Sequence, residues 1–348
     1  MPGVGIPSRD EVLPPVLKRN YGRWVGHEFI EAGVYKHISE TGVECISVRV
    51  GMPSNARVSV ATLKKICDIA DRYAGGYFRV TTRNHVEFVG VPAEKVDDLR
   101  RELRDMGLPV GGTHRRFHHV TCCTGWLHCQ IAAIDSPSIA KAISDVLYTD
   151  FIEERFPAKL KISIAGCMNQ CGEASTADIG VVGIFREAPM VDEAKVKGCE
   201  IPSVVAVCPV SAIRGGKNSI SINADRCVGC GYCPMACEAI TMRPETAGAT
   251  IVVGGKAGNT GAGPAWAKVA APYVKAEPPR YEEIISIVER IISTWKGDAG
   301  RDERIRDWIG RIGWEKFFEK TSIPMAIRHM DSSVDRISKI KSDVRFRW

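Results

Sequence analysis

The sequence predicts an α+β protein of two or three domains, with mixed sheets packed by helices and a small cysteine-rich module inserted late in the chain. Three observations lead there. At 348 residues the chain is long enough for that many domains with a sizeable core. Helical and strand periodicities follow one another in blocks, as in strand–helix–strand packing of the α+β kind. Between residues 201 and 245 the periodic segments become short while Pro and Cys accumulate.

Taken in order, residues 59–73 (SVATLKKICDIADRY) set Leu63, Ile66, Cys67, Ala70 and Tyr73 at helical spacing, with Cys67 as core filling. A strand follows, YFRVTTRNHVEFVG. Alternation along it puts Arg79, Thr81, Arg83 and His85 on one face and Phe78, Val80, Thr82, Val86 and Phe88 mostly on the other. A helix around 93–105 leads into the glycine-bearing turn region 107–112. A second block starts at Cys129, with a helix near 137–149 and strands at KLKISIAG and DIGVVGIF. In the first of these strands Lys159, Lys161 and Ser163 share a face, and Leu160, Ile162 and Ile164 face the core. Past the cysteine-rich module, IVVGGKAGNTGAGP reads as a strand running into a glycine-rich loop. Residues 281–295 place Ile284, Val288, Ile291, Ile292 and Trp295 on one face of an amphipathic core helix. The basic tail DSSVDRISKIKSDVRFRW reads as an arm that packs on a neighbour. The domains are drawn at 1–120, at 121–200 together with 246–348, and at 201–245 for the insert.

Composition narrows the function classes. Apolar residues are 45% and charged residues 25%, ordinary for a globular chain. The net charge of +6 suits an anionic cofactor or substrate. Basic residues concentrate only in THRRFHH (113–119), without the interleaved aromatics that a nucleic-acid surface requires. The opening MPGVGIPSRDEVLPP has no apolar signal region, and no run approaches the ~18 apolar residues of a membrane span. The 13 cysteines are clustered, which in a cytoplasmic, reducing compartment argues for metal or redox chemistry over disulfides.

Cys227, Cys230 and Cys233 form C-x2-C-x2-C, followed by Pro234. Three thiolates so close suit one [4Fe–4S] cube and leave its fourth ligand to come from elsewhere. In two-cluster bacterial ferredoxins the fourth cysteine of a run, followed by Pro, serves the other cluster. Cys208–Pro209 looks like the end of such a run without its first three members. The set is therefore Cys208, Cys227, Cys230 and Cys233, with Cys237 an orphan. A zinc knuckle is the competing reading, but two x2 gaps in series are too tight for an ordinary paired-cysteine zinc site. A rarer pattern, C-x5-C (Cys123, Cys129) with C-x3-C (Cys167, Cys171), supplies four soft thiolates for a second [4Fe–4S] site. Two cation-bearing strands, one running into Cys167, favour an anion pocket over two solvated faces.

At this point the residues resemble a known family. C-x5-C with C-x3-C, a TTR strand and a K-x-K strand are shared marks of the sirohaem-dependent sulfite and nitrite reductases. The inserted module, with NYGRWVGHEF, TTRNHVEF, GWLHC, RIGWEKFFE and the terminal FRW, is similar to the β subunit of dissimilatory sulfite reductase over nearly the whole chain. The resemblance implies that Cys123, Cys129, Cys167 and Cys171 hold the cluster next to sirohaem, with Cys171 bridging cluster and haem iron. It implies that Arg83, Lys159 and Lys161 bind sulfite, and that GGKAGNTG (Gly254, Gly255, Lys256, Gly258 and Asn259 among them) receives sirohaem carboxylates. A glycine-rich loop with bare N–H groups is also an anion cradle on physical grounds. The domains then become a substrate-contacting N-terminal domain, a sirohaem and [4Fe–4S] domain with a C-terminal arm, and a ferredoxin-like insert.

Several positions depart from the β-subunit pattern. Gly166 stands where that subunit commonly has a cysteine before the x3 pair, and Cys123 restores C-x5-C, as in the α subunit. Lys159 and Lys161 are both present where the β subunit tends to have lost them, and His114 replaces a bulky Trp after GGT. The second arginine expected just before the x5 pair has no clear match, and Arg115, Arg116 or His118 could substitute, of which Arg116 is carried as a catalytic candidate. These features imply a complete reductase site. The resemblance implies six-electron reduction of sulfite to sulfide, with electrons entering through the ferredoxin-like cube. It also implies a working partnership with a related α subunit or a second copy, as a dimer or an α2β2-like tetramer, because pocket residues of one subunit can face the partner's haem. An electron donor and a small sulfur-carrier protein are further expected partners. Nitrite reduction, sulfide oxidation in reverse, and a non-catalytic electron-transfer subunit remain as rivals.

Overall fold

The computed structural model describes residues 8–325 apart from Asn55 and Ala262. The basic tail and its FRW lie outside the described residues. The chain forms two compact units, one made of residues up to 119 with 144–160, the other of 120–143 with the chain from 161 onward.

The first unit is built on an antiparallel sheet of β1 (Trp24–Glu31), β2 (Val34–Ser39), β3 (Glu44–Val50), β4 (Phe78–Val80) and β5 (Val86–Val91) in the order β1-β2-β3-β5-β4. Helices Val60–Tyr73 and Val96–Asp105 lay Ile66, Ile69, Ala70, Leu99 and Leu103 against Val34, Val48, Val50 and Phe88. Ser59 starts the first helix by accepting from the Thr62 N–H at 3.0 Å. Cys67 is exposed, contrary to the expected core role. The buried stripe runs through Ile66, Ile69 and Ala70, and each helical residue turns about 100°, so position 67 points away from it.

The single strand expected from residue 77 to 90 is two strands and a tight turn. Phe78 pairs with Phe88, Arg79 with Glu87 and Val80 with Val86. The Asn84 N–H donates to the Thr81 carbonyl at 2.9 Å, and Asn84 is left-handed at φ 62°. Thr81 Oγ1 accepts from the His85 N–H at 3.1 Å. Arg83 is therefore a turn residue, and the one-face alternation of Arg79, Thr81, Arg83 and His85 does not hold. A short polar run, TTRN, closes the hairpin by side-chain bonds to its own backbone, which periodicity does not register.

In the second unit come β6 (Phe117–Cys122, whose first residues belong to the first unit), β7 (Leu160–Ala165) and β8 (Ile179–Phe185). The cysteine-rich stretch and the residues just before it carry short strands, β9 (Met190–Val191), β10 (Ile213–Gly215), β11 (Ile220–Ile222) and β12 (Ile240–Thr241), paired as β9 with β12 and β10 with β11. It has a small core of its own around Val196, Val204, Ile213, Ile220 and Ile240. Then β13 (Ala247–Val253) and β14 (Lys268–Val274) complete a mixed sheet in the order β14-β13-β8-β7-β6, with β7 and β8 parallel. Helix Glu282–Asp298 buries Ile284, Val288, Ile291, Ile292 and Trp295 as the periodicity requires, together with Ile287. The architecture is the α+β arrangement of mixed sheets with helices. Among the described residues, no helix is long and apolar enough to cross a membrane.

Candidate active site

Both cysteine sets lie in the second unit. Cys123 leaves β6 with its N–H on the Ile164 carbonyl of β7 at 3.1 Å, and its sulfur accepts from the Gly166 N–H at 3.0 Å. Cys129 follows a short helical turn, and Cys167 and Cys171 follow β7, with the Cys171 sulfur accepting from Asn169 at 3.1 Å. Burial pushes the Cys167 thiol up to about 11, and the thiols of Cys129, Cys123 and Cys171 push the same way. In the second set, burial pushes Cys233 up to about 12, reinforced by Cys230, Cys227 and Cys208. Cys208, Cys227, Cys230 and Cys233 all line one mainly apolar cavity. Packed thiols with raised pKa values need a positive partner to ionise, and a cluster supplies it. Among the described residues no three His, Cys, Asp or Glu side chains are close enough to hold a single metal ion. A cube spaces its thiolates around a larger centre than a single ion does. Cys237 is not an orphan but is bonded to Cys199, 38 residues away with the Cα atoms 5.3 Å apart.

In the first unit, buried nitrogens gather beside the TTRN turn. Arg83 Nε, His118 Nδ1 and His119 Nε2 are buried without a hydrogen-bond partner. His118 and His119 are 7% and 5% exposed, and burial holds both well below the usual imidazole pKa, with Arg83 adding to the effect. His85, its ring centroid 4.3 Å from that of His119 and tilted 41° to it, is lowered to about 4 by burial. The Arg83 nitrogen left without an acceptor describes a site for an anion, and because the His118 Nε2–H is spent on the His114 carbonyl at 2.9 Å, the open Nδ1 of that neutral ring is a proton acceptor. Arg116 is engaged elsewhere: Nε donates to the Ile152 carbonyl at 2.9 Å, and the guanidinium lies 5.1 Å over the Phe29 ring. Arg115 is bonded to Glu154 at 2.5 Å. Of the three residues expected to complete the pocket, His118 has the unsatisfied nitrogen.

Lys159 is exposed at the end of the first unit's last segment, and Lys161 is half-buried at the start of the second unit's next one. Ser163 is buried, its hydroxyl 2.7 Å from that of Thr121, so β7 is covered on both faces beyond Lys161. The Lys161 N–H donates to Asp178 at 2.9 Å, and the Asp178 carbonyl accepts from the Gly254 N–H at 2.9 Å. Asp178 is fully buried and paired with Arg304 through two bonds of 3.0 and 2.8 Å. Residue 178 thus meets the K-x-K strand through its carboxylate and the root of the glycine-rich loop through its backbone carbonyl. At that root Gly254 has φ 81°, and a Cβ on Gly255 would stand 2.4 Å from the Ala177 carbonyl oxygen. Gly258 and Asn259 form the exposed tip. Lys256 does not reach outward: its buried ammonium bonds both Asp307 oxygens at 2.9 Å and holds the loop's shape.

A family model for the nitrite and sulphite reductase 4Fe-4S domain matches residues 114–328, and one for the nitrite/sulfite reductase ferredoxin-like half domain matches 37–106. The dissimilatory-type sulfite reductase subunit beta of Archaeoglobus fulgidus is 39% identical over 99% of this chain and 97% of its own length. The chain belongs to the dissimilatory-type sulfite reductase family, on the β-subunit side. The subunit beta of Nitratidesulfovibrio vulgaris is 38% identical over 95% of the chain and 91% of its own. The subunit alpha of Allochromatium vinosum is 27% identical over 87% and 75%. The fold matches a crystal structure of dissimilatory sulfite reductase I with TM-score 0.81 at 21% identity, over 90% of this chain and 80% of that one. As a member of the sulfite reductase family the chain is an oxidoreductase subunit, and membership implies iron–sulfur clusters and sirohaem. The residues present fit those groups: thiols around a cavity, a guanidinium nitrogen without an acceptor, and a glycine loop root closed to any Cβ. Sequence reasoning missed His119 and Asp178, because a histidine pair and a lone aspartate carry no spacing signature.

Proposed function

We propose that this chain holds two [4Fe–4S] clusters and a sirohaem and takes part in the six-electron reduction of sulfite to sulfide. The observation that carries the reading is two separate sets of four cysteines in one unit, one of them lining a shared cavity. Cys208, Cys227, Cys230 and Cys233 would hold the electron-receiving cube, and Cys123, Cys129, Cys167 and Cys171 the other. The loop Gly254–Gly261 would receive the sirohaem carboxylates at its exposed tip, beyond the Gly254 and Lys256 N–H groups that are bonded within the protein. Sirohaem, when bound, supplies the centre at which sulfur accepts electrons.

The remaining work falls to the protein. Arg83 offers a fixed positive charge and an open Nε to the sulfite anion, and Lys159 and Lys161 are proposed as further anion-binding side chains. His118 and His119 are held neutral by burial, and a neighbouring anion favours their charged forms. They can therefore take up protons as the anion arrives and return them as S–O bonds break. The relatives include both α and β subunits, which supports an assembly with an α-type chain.

Anaerobically purified protein tests this reading by its visible spectrum and metal content. The expectation is sirohaem bands with roughly nine iron and eight acid-labile sulfide per chain, from two cubes and one haem iron. Iron–sulfur bands without sirohaem would leave an electron-transfer subunit instead.

A further inference from the structure

Two cysteines that neither ligand set uses, Cys199 and Cys237, are bonded to each other and bracket the ferredoxin-like module. They lie 38 residues apart in sequence with their Cα atoms 5.3 Å apart, and Cys208, Cys227, Cys230 and Cys233 all fall between them. Each is tied to a ligand by one short helix. Helix Ile201–Ala206 leads from Cys199 toward Cys208, and helix Cys233–Ala236 leads from Cys233 to Cys237. Cys233 and Cys237 are buried in the module's small core, and Cys199 and Cys208 pack against it. Next to the bond, the ends of the module are held by β9 and β12, which pair Met190 with Thr241 and Val191 with Ile240, and by the Asp192 N–H on the Ala239 carbonyl at 2.8 Å. So short a ribbon is a weak clasp by itself. The disulfide backs it with a covalent link. Cys237 is enclosed but Cys199, which follows the turn Val196–Gly198, is half-buried, so the bond is open to attack from the Cys199 side.

We propose that Cys199 and Cys237 form a thiol–disulfide exchange site that sets how firmly the module keeps its cluster. A dithiol reductant attacks the Cys199 sulfur as its thiolate, a mixed disulfide forms, and Cys237 leaves as a thiolate that takes up a proton. The second thiol of the reductant then attacks the mixed disulfide and releases Cys199 as a thiol. The reductant gives up two electrons and two protons to become its own disulfide, and the cysteine pair gains them. Oxidation by a small disulfide runs the exchange in reverse. In the bonded state the segments bearing Cys208 and Cys233 are linked twice, through the cluster and through the disulfide. In the dithiol state the covalent link is gone, and a ligand that comes off the cluster is held less closely to its place. This inference rests on the two-cluster reading above.

The test uses the anaerobically purified holoenzyme, poised with oxidised glutathione or with reduced dithiothreitol. Alkylation and mass spectrometry of the Cys199 and Cys237 peptides score the pair. Iron release to bathophenanthroline, with electron paramagnetic resonance of the reduced clusters, scores each cube. The bonded form should give up the cavity cube about tenfold more slowly than the dithiol form, while the cube of Cys123, Cys129, Cys167 and Cys171 is lost at one rate in both. Cys199→Ser with Cys237→Ser should purify with full iron and sulfide, release the cavity cube at the dithiol rate, and ignore the poise, which also controls for direct action of dithiothreitol on iron. Equal release in the two poises overturns the inference, and so does a pair that oxidised glutathione leaves as free thiols. A double variant that purifies without the cavity cube overturns it too, since the bond would then be only a structural staple. Wild-type protein without a cavity cube would remove the two-cluster reading, and this inference with it.

Discussion

Removing the Asp178 carboxylate should be among the most damaging single changes outside the cysteines. Its side chain is fully buried and that of Arg304 is 8% exposed, so neither charge has water to fall back on. Asp178→Ala leaves a guanidinium buried without its counter-charge, a loss on the order of 3–5 kcal/mol. In a unit of this size that is roughly 6–20 °C of melting temperature. Replacing both partners, as Asp178→Leu with Arg304→Met, removes the stranded charge and should recover most of the loss. The cofactor readout separates this strut from a generic core defect. The single variant takes the carboxylate acceptor from the Lys161 N–H but leaves the backbone carbonyl that holds the Gly254 N–H, so it should lose sirohaem absorbance through the K-x-K strand before it loses iron–sulfur bands. Thermal melts and spectra of the single and double variants make the comparison. A single variant within about 1 kcal/mol of wild type, or a double variant as unstable as the single, would refute the reasoning.

Other outcomes follow from the same geometry. Lys159→Ala with Lys161→Ala should keep folding and cofactors but cut dye-driven sulfite reduction about a hundredfold or more, and wild-type turnover would return both lysines to a solvated role. Cys208→Ser should lose the cavity cube and keep sirohaem, whereas Cys237→Ser should keep both, since its sulfur is engaged by Cys199; iron counts decide. Gly255→Ala should cost about 1–3 kcal/mol because its Cβ meets backbone, and Gly258→Ala, with nothing within 4 Å, serves as a control that should melt like wild type. His85 titrates near 4 when folded, below its unfolded value, so the unfolded chain binds more protons as pH falls. Stability should therefore decline from about pH 6.5 downward, by about 3 kcal/mol at most from this residue, and His85→Gln should flatten a urea-midpoint profile that otherwise slopes.

What the sequence made legible was whatever depends on spacing. Both cysteine sets, the helix through Ile284 and Trp295, and the glycine loop rest on short repeats that survive any tertiary context. Arg83 was found as a residue but not as a turn, because the Thr81 hydroxyl and a left-handed Asn84 override strand alternation. Cys67 was turned the wrong way because Leu63 and Cys67 fit the helical period as well as Ile66 and Ile69 do, and the sheet alone selects between them. Arg116 looked like a site residue until Phe29, Thr113 and Ile152 were seen to surround it. The roles of Lys256 and Asp178 depend on partners 51 and 126 residues away, which no local pattern announces.

The path of the chain between its two units has a consequence for biogenesis. The chain leaves the first unit after residue 119, returns at 144, and departs again after 160. Cys123 and Cys129 are therefore synthesised before that return, and Cys167 and Cys171 after it. As the polypeptide emerges from the ribosome, the first unit stays incomplete until residue 160 is out, and half of one thiol set waits meanwhile with no partners. Iron insertion at that set must come after the return segment, and a stall between residues 129 and 167 would leave two exposed thiols open to oxidation.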